Sequence, residues 1–236
     1  MMGLVRSALQ TNCVSFMKAG EHREQRNISV VVDNDSWVLP YAKELVGLIV
    51  KKGDRASLCR SVEEVTEGYA AFYLGCLNIV GQKILNINQY NLVVHESDLP
   101  KGRGFAPVAW QVLEGKNDIT MCLIEAAEEV DAGNIFLKKK MSLKGTELNN
   151  EIRDYQGKMS IELCLDFLDL EGAIDGEKQK GTATYYKRRR PDDSELDINK
   201  TIAQQFNLLR IADNEAYPAF FIINGIKYIL HIEKSC

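Results

Sequence analysis

The chain of 236 residues has few histidines, no closely spaced cysteine pair and no long apolar segment. The cysteines number six and are scattered, several of them in apolar segments where a thiol behaves as a small hydrophobe, which favours reduced thiols in a cytoplasmic protein. No apolar run approaches the ~20 residues that cross a bilayer, so we expect no membrane partner. Residues 1–27 lack the apolar core of a secretory signal, and they are predicted to form a flexible leader.

The sequence also lacks a strong excess of charge of either sign. The formal net charge is -4, with 45% hydrophobic and 26% charged residues, which is ordinary for a globular protein. Such a balance provides no general attraction to nucleic acid, so none is expected as a partner. Any basic binding site must therefore be local, and no residue pattern predicts a metal site.

A dinucleotide-binding glycine fingerprint is missing after the first predicted strand. The segment VVDNDSW stands where G-x-G-x-x-G would be, which disfavours a nicotinamide or flavin dinucleotide. Asn34 and Ser36 are expected either to cap the first helix or to meet a phosphate at its start. Trp37 is either a stacking surface for a ligand or a core aromatic.

Short apolar runs alternate with amphipathic stretches from residue 28 onward, which is typical of βαβ units. We predict an α/β, Rossmann-like catalytic domain with a largely parallel sheet over residues 28–180, including a long helix from Thr146 to Gly172. Residues 181–236 are predicted to form a small α+β subdomain with a helix over 198–212, ending in a β-hairpin at Asn224-Gly225. This tail is expected to pack on the main domain and to complete a binding cleft.

One histidine lies at the end of a predicted strand, in the segment NLVVHESDLPKGRG. His95 is therefore expected at the carboxyl edge of the sheet, where parallel α/β proteins bind ligands. Lys101 and Arg103 follow it and are expected to attract an anion. Asp131, in EEVDAG, lies in a turn between two strands; beside His95, its carboxylate would fix the ring tautomer and stabilise the charged form. The alternative interpretations are purely structural: His95 would only cap the strand, and Asp131 would only form a turn.

These two motifs resemble those of the folate-dependent formyltransferases. HESDLPKGRGFAP matches the pattern H-x-S-x-L-P-x-x-x-G, and EEVDAGNIF matches the D-x-G turn of that family. The resemblance implies the formyltransferase fold, 10-formyltetrahydrofolate as the formyl donor, and His95 as general base or oxyanion partner, supported by Asp131. It also implies a pterin pocket lined by YLGC and IEAAEEV, marked here by Leu74, Gly75, Cys76, Glu125 and Val130.

The tail is similar to that of the sugar-nucleotide N-formyltransferases within this family. That similarity implies transfer of the formyl group to a nucleotide-linked amino sugar, and DNDSW with HESDLPKGRG points to a UDP-linked 4-amino-4,6-dideoxy sugar of a pseudaminic-acid-type route to bacterial surface glycans. Arg188 or Arg190, in KRRR, would hold the diphosphate and Tyr217 would stack on the base, although a solvated basic face and simple packing are equally consistent. A homodimer is expected.

One position departs from the family pattern. Val93 stands two residues before His95, where the family has an asparagine that helps to hold the oxyanion. Asn91 is one pleat further away, about 6 to 7 Å, which is too far for the same role. Two alternatives therefore stay open beside the sugar enzyme: a methionyl-tRNA formyltransferase, which would carry a larger C-terminal domain and a more basic surface, and a noncatalytic sugar-nucleotide binding module.

Overall fold

The computed structural model describes residues 24–235, so most of the predicted leader lies outside the described residues. Ten strands and five α-helices occur in this part of the chain. The helices are α1 (Leu39–Lys51), α2 (Gln82–Leu85), α3 (Pro107–Leu113), α4 (Asn149–Leu168) and α5 (Phe206–Arg210). The strands are β1 (Asn27–Val31), β2 (Arg55–Cys59), β3 (Gly68–Tyr73), β4 (Asn88–His95), β5 (Arg103–Gly104), β6 (Asp118–Glu125), β7 (Ile135–Ser142), β8 (Tyr185–Tyr186), β9 (Ala219–Ile223) and β10 (Ile226–Leu230).

Six strands form the central sheet in the order β2-β1-β3-β4-β6-β7. The first four strands of this order are parallel, whereas β6 and β7 are antiparallel to their neighbours. This arrangement confirms the prediction of an α/β protein with a largely parallel sheet. Because β2 and β3 flank β1 on opposite sides, the strand order reverses at β1, which places a crevice beyond the carboxyl ends of β1 and β3.

Helices α1 and α4 cover one face of the sheet and form the main core with it. Leu45 and Ile49 of α1 and Phe167 of α4 are fully buried in one apolar cluster with Phe72 and Leu92 of the sheet. Phe167 contacts the ring of Phe72 edge-on, with 6.2 Å between the centroids. This packing fixes α4 against the strands, so that its first turns overhang the carboxyl ends of β1 and β4.

The boundary between leader and domain differs from the prediction by two residues. Strand β1 already includes Asn27, and the preceding Arg26 belongs to the folded domain. The guanidinium of Arg26 donates to Asp54 Oδ2 from Nε at 3.0 Å and to the Leu168 carbonyl from Nη1 at 2.8 Å, and it lies 4.6 Å from the centroid of the Tyr69 ring. No apolar signal marks this position in the sequence because Arg26 is held by hydrogen bonds of its side chain and not by apolar packing.

Three helix predictions need correction. Helix α1 begins at Leu39 without a side-chain cap, so neither Asn34 nor Ser36 caps it. Helix α4 is shorter at both ends than the predicted span from Thr146 to Gly172, and Glu151 accepts the amide of Leu148 at its start. The predicted helix over residues 198–212 is reduced to a 3-10 turn and α5, because Asp197 and Gln205 hydrogen-bond the intervening backbone in an irregular loop.

The tail packs on the main domain through a strand pair and a buried arginine. Strand β8 pairs in parallel with β5, directly after the His95 loop, while β9 and β10 form the predicted hairpin. Arg210 of α5 is 1% exposed, and its Nε donates to the carbonyl of Glu147 at 3.2 Å. Within residues 24–235, no helix has the length and apolar character needed to span a membrane.

Candidate active site

A cavity of about 660 Å³ lies beyond the carboxyl ends of β1, β3 and β4. His95 and Asp131 line its centre. Its wall includes the segments that follow β3 and β6, which we call the first arm, and Ser36 and Trp37, the start of α4 and the tail, which we call the second arm. Its size is typical of a small-molecule site. The structure therefore brings the two residues of the motifs HESDLPKGRG and EEVDAG to one cleft, at the edge where the sequence predicts binding.

His95 is buried, with 5% of its surface exposed, and both ring nitrogens face oxygen atoms. Nε2 lies 2.8 Å from the carbonyl oxygen of Gly102, which can only accept, so Nε2 carries a hydrogen. Nδ1 lies 3.4 Å from Oδ1 of Asp131. Since Nε2 is committed as a donor to Gly102, Nδ1 is the ring nitrogen that faces the carboxylate.

Asp131 is held by its turn and by the loop after His95. Its backbone has a φ of 52°, and its Oδ2 accepts the amide hydrogen of Gly104 at 2.8 Å. Gly133 completes the D-x-G motif because a Cβ there would lie 1.9 Å from the carbonyl oxygen of Glu125. The glycine thus allows the turn to close against β6 and directs the Asp131 carboxylate towards His95.

The tail fixes the loop that orients His95. Thr184 Oγ1 accepts the amide of Gly102 at 2.9 Å, and the carbonyl of Thr184 accepts the amide of Arg103 at 2.9 Å. Gly104 has a φ of 98°, and a Cβ there would lie 2.5 Å from the Tyr186 carbonyl oxygen. The Gly102 carbonyl that holds His95 is therefore positioned by residues more than 80 positions further along the chain.

The arm beside β3 is walled by the residues predicted for the pterin pocket. Leu74 is buried, whereas Gly75, Glu125 and Val130 are exposed on the cavity wall. The half-buried thiol of Cys76 donates to the Val31 carbonyl, and burial raises its pKa to about 12. This wall therefore presents an apolar surface with main-chain polar groups and an unreactive thiol.

Asp33 holds the loop after β3 that forms the same arm. Its carboxylate accepts the amides of Leu77 and Asn78 at 2.9 Å each. Burial disfavours the charged form, yet these amides and the side-chain amides of Asn34 and Asn78 keep the pKa below its usual value. Asn34 also donates to the Gly75 carbonyl at 2.8 Å, so both of its amide hydrogens serve the loop.

The second arm is polar and contains donors that lack a protein partner. Ser36 Oγ and Arg189 Nε are buried without a hydrogen-bond partner within residues 24–235. Trp37, Arg188 and Tyr217 line the same arm, as predicted for the acceptor site. Arg188 lies over the ring of Phe105, 5.6 Å from its centroid. This arm suits a ligand with several acceptor oxygens.

Lys101, Arg103 and Arg190 lie outside the cavity wall, contrary to the expectation that they hold an anion there. Lys101 is exposed to solvent. The guanidinium of Arg103 is 10% exposed and is committed to Glu129 at 2.7 Å and to Gln179 at 2.9 Å. The arginine thus ties the His95 loop to the turn of Asp131, and it has a structural role.

Sequence reasoning missed several residues of the site. Glu96 and Gln156 line the cavity next to His95, and Gln156 Nε2 donates to Glu96 Oε1 at 2.6 Å. Arg153 and Asp213 form an ion pair of 2.8 Å in the polar arm. Glu96 could have been predicted because it directly follows His95. Gln156 and Arg153 lie on α4 and Asp213 lies in the tail, so only the fold brings them to the site. Within residues 24–235, no group of histidine, cysteine and acidic residues is arranged to hold a metal ion.

The fold and the site define a Rossmann-like α/β protein with a cavity of small-molecule size at the sheet edge. Residues 52–162 match the family model described as formyl transferase. This match spans slightly less than half of the chain, and it supports the resemblance noted in the motifs.

A curated relative, the methionyl-tRNA formyltransferase of Fusobacterium nucleatum, is 28% identical over 151 residues. The match covers 62% of this chain and 48% of the relative, so the chain spans about half the length of the curated relatives it matches. A solved structure of HypX from Aquifex aeolicus in complex with tetrahydrofolic acid superposes with a TM-score of 0.68 at 14% identity, covering 87% of this chain and 37% of that one. A sugar N-formyltransferase from a Shewanella species superposes with a TM-score of 0.63 at 15% identity, covering 89% and 98%.

Proposed function

We propose that this chain is a folate-dependent N-formyltransferase that transfers the formyl group of 10-formyltetrahydrofolate to the amine of a nucleotide-linked amino sugar. The proposed acceptor is a UDP-linked 4-amino-4,6-dideoxy sugar of a pseudaminic-acid-type pathway. The observation that carries the proposal is the pair of His95 and Asp131 at the junction of an apolar and a polar arm of one cavity. The match of residues 52–162 to the formyl transferase family model supports the reaction type.

The apolar arm fits a folate. Leu74 and Val130 provide apolar surface. The main chain next to Leu74 and from Glu125 to Val130 provides polar groups for a pterin ring. The tetrahydrofolic acid bound to the HypX structure of the same fold supports this assignment. When bound, the folate supplies the activated formyl carbon, and this chain orients it and handles charge and protons.

His95 and Asp131 are proposed to stabilise the charge that develops during transfer. As the amine attacks, negative charge grows on the formyl oxygen, and a charged imidazole beside it supplies a fixed positive partner. Asp131 balances that positive charge through Nδ1, while the Gly102 carbonyl fixes the ring plane through Nε2. Both ring nitrogens face protein oxygens, so His95 would act on the oxyanion through its charge and not as a hydrogen-bond donor. In this way it would take over part of the role of the asparagine that is absent at position 93.

The polar arm is proposed to bind the acceptor. Arg188 and the unpartnered Nε of Arg189 offer donors to a diphosphate, and Ser36 offers a hydroxyl. Tyr217, which is 36% exposed at the rim, offers a ring for a base. A sugar N-formyltransferase shares this fold over 98% of its own chain, which supports a sugar as the acceptor.

A methionyl-tRNA formyltransferase is the second candidate, because the curated relatives carry that name. Recognition of tRNA depends on neutralising phosphates, and a net charge of -4 provides no broad basic surface for it. A noncatalytic sugar-nucleotide module is the third candidate, since Val93 replaces an asparagine. The predicted homodimer and cytoplasmic location stay predictions; light scattering after size-exclusion chromatography tests the first, and cell fractionation tests the second.

The test is release of tetrahydrofolate from 10-formyltetrahydrofolate in the presence of UDP-linked 4-amino-4,6-dideoxy sugar, with mass detection of the N-formyl product. We expect turnover that requires both substrates. Tight binding of the sugar nucleotide without any formyl product would favour the noncatalytic module. Lys101→Ala is a matched control, since this exposed residue lies outside the cavity wall and its loss should leave turnover unchanged.

A further inference from the structure

Glu96 is a cavity residue without an assigned role, held in place from two sides. Its Oε1 accepts a hydrogen bond of 2.6 Å from Gln156 Nε2 of α4, and its carbonyl oxygen accepts one of 2.7 Å from Gln111 Nε2 of α3. Both partners are neutral amides on different helices. The Gln111 bond holds the backbone of Glu96, and the Gln156 bond holds its carboxyl group in the cavity wall beside His95.

The electrostatic setting of Glu96 is unusual for a structural carboxylate. Within residues 24–235, no lysine or arginine forms a salt bridge with it, and Arg153 in the same wall is paired with Asp213. Burial raises its pKa, which the positive charge of His95 partly offsets and Asp131 reinforces. A half-buried carboxylate that stays charged beside a neutral partner disfavours the folded state, which a glutamine at the same position would avoid.

The other two ionisable groups of the site are already committed. Asp131 accepts from Gly104 through Oδ2 and faces His95 through Oδ1. His95 donates through Nε2 to Gly102 and, when charged, carries its second hydrogen on Nδ1. Neither of these two residues is then available to take a further proton without losing its role in stabilising charge. Glu96 lines the cavity and accepts the Gln156 bond through one oxygen, Oε1, so within the described residues its carboxyl group is not tied to a charged partner.

We propose that Glu96 is a catalytic residue that accepts the proton lost by the acceptor amine. The inference rests on the proposed function. The bond formed joins the amine nitrogen to the formyl carbon, and the bond broken joins that carbon to N10 of the folate. Glu96 takes the proton released by the attacking nitrogen and returns it to N10 as this nitrogen leaves, so that charge and atoms balance and the carboxylate is restored.

The experiment compares wild type, Glu96→Gln, Glu96→Ala and Glu63→Gln in the same formyl-transfer assay. Glu63 is an exposed carboxylate outside the cavity wall, so its variant controls for the loss of one negative charge. We expect kcat to fall at least ~100-fold in Glu96→Gln, as for loss of a positioned base, while KM changes little. The fall in kcat towards low pH should disappear in this variant, and acetate should restore part of the turnover of Glu96→Ala. A positioning role for the Gln156 contact would produce neither of the last two effects.

The outcomes separate this inference from the proposed function. An inactive wild type with every amino-sugar nucleotide would refute the function and the inference together. An active wild type with a Glu96→Gln variant within ~3-fold of it would overturn the inference alone, since a lost base costs far more. The same conclusion follows if Glu96→Gln is slow but keeps the acidic fall in kcat, because that titration would then belong to His95 or Asp131. Melting curves of each variant show that a loss of rate is not a loss of folding.

Discussion

Arg210 offers the sharpest test of whether the tail is an integral part of the folded protein. Its side chain is 1% exposed and Glu147, its ionic partner, is 5% exposed, with 3.5 Å between Nη2 and Oε2. Nη1 also donates to Asn117 Oδ1 at 3.0 Å, which joins α5 to the loop before β6. Replacement by alanine removes these bonds and leaves the Glu147 carboxylate buried without its cation.

The expected destabilisation is about 3 kcal/mol, at the lower end for breaking a buried ion pair. The lower end applies because Glu147 keeps the amides of Lys144, Gly145 and Thr146, which hold its pKa below the usual value despite burial. For a chain of this length, each kcal/mol shifts Tm by about 2–4 °C, so Arg210→Ala should melt roughly 6–12 °C below wild type.

Differential scanning fluorimetry or calorimetry of the full chain measures this shift. Lys200→Ala is the matched control, because Lys200 is an exposed cation of the same tail at 3.7 Å from Asp197, and exposed pairs contribute less than about 1 kcal/mol. The reasoning is refuted if Arg210→Ala melts within the error of Lys200→Ala. That result would mean that the tail is held by other contacts and that Arg210 does not anchor it.

Three further predictions concern the site. His95→Ala and Asp131→Asn should each lower kcat at least ~100-fold while the protein stays folded, and near-normal turnover in either variant would remove that residue from its role. Val93→Asn should leave kcat unchanged or lower with a reduced Tm, because it adds a polar group to a strand beside a charged ring that already stabilises the oxyanion; a tenfold rise in kcat would show that the wild-type oxyanion lacks such stabilisation. Because burial raises the pKa of Glu96, its share of stability is present below the unfolded value of 4.5 and lost as pH rises through the folded pKa. Glu96→Gln should therefore melt above wild type near pH 8, with the difference vanishing near pH 4, and equal melting at both values would contradict a raised pKa.

The sequence predicted those parts of the fold and site that depend on local pattern. Alternating apolar segments predicted where the central strands lie along the chain, although not their order in the sheet. The Asn224-Gly225 turn predicted the hairpin. His95 was found because it ends a strand, and Asp131 because a D-x-G turn lies between two strands. In each case the signal and the structural element occupy the same few residues, so no distant contact was needed to interpret them.

Features that depend on distant contacts were mispredicted or missed. The sequence predicted that Arg103 binds an anion. Its guanidinium instead bonds Glu129 and Gln179, which lie 26 and 76 residues away along the chain. Glu96 was missed because its burial depends on Gln156, 60 residues further on. Residues 198–212 have a helical spacing of apolar residues, yet most of them do not form a helix. The side chains of Asp197 and Gln205 hydrogen-bond the backbone there instead.

The measurement that tests the central claim most directly is the acceptor preference of the wild-type protein. With 10-formyltetrahydrofolate as donor, kcat/KM is measured for a UDP-linked 4-amino-4,6-dideoxy sugar and for methionyl-tRNA under the same salt conditions. The polar arm of the cavity and the absence of a net positive charge predict efficient formylation of the sugar and no detectable formylation of methionyl-tRNA. Formylation of methionyl-tRNA with a kcat/KM equal to or above that for the sugar would contradict the account.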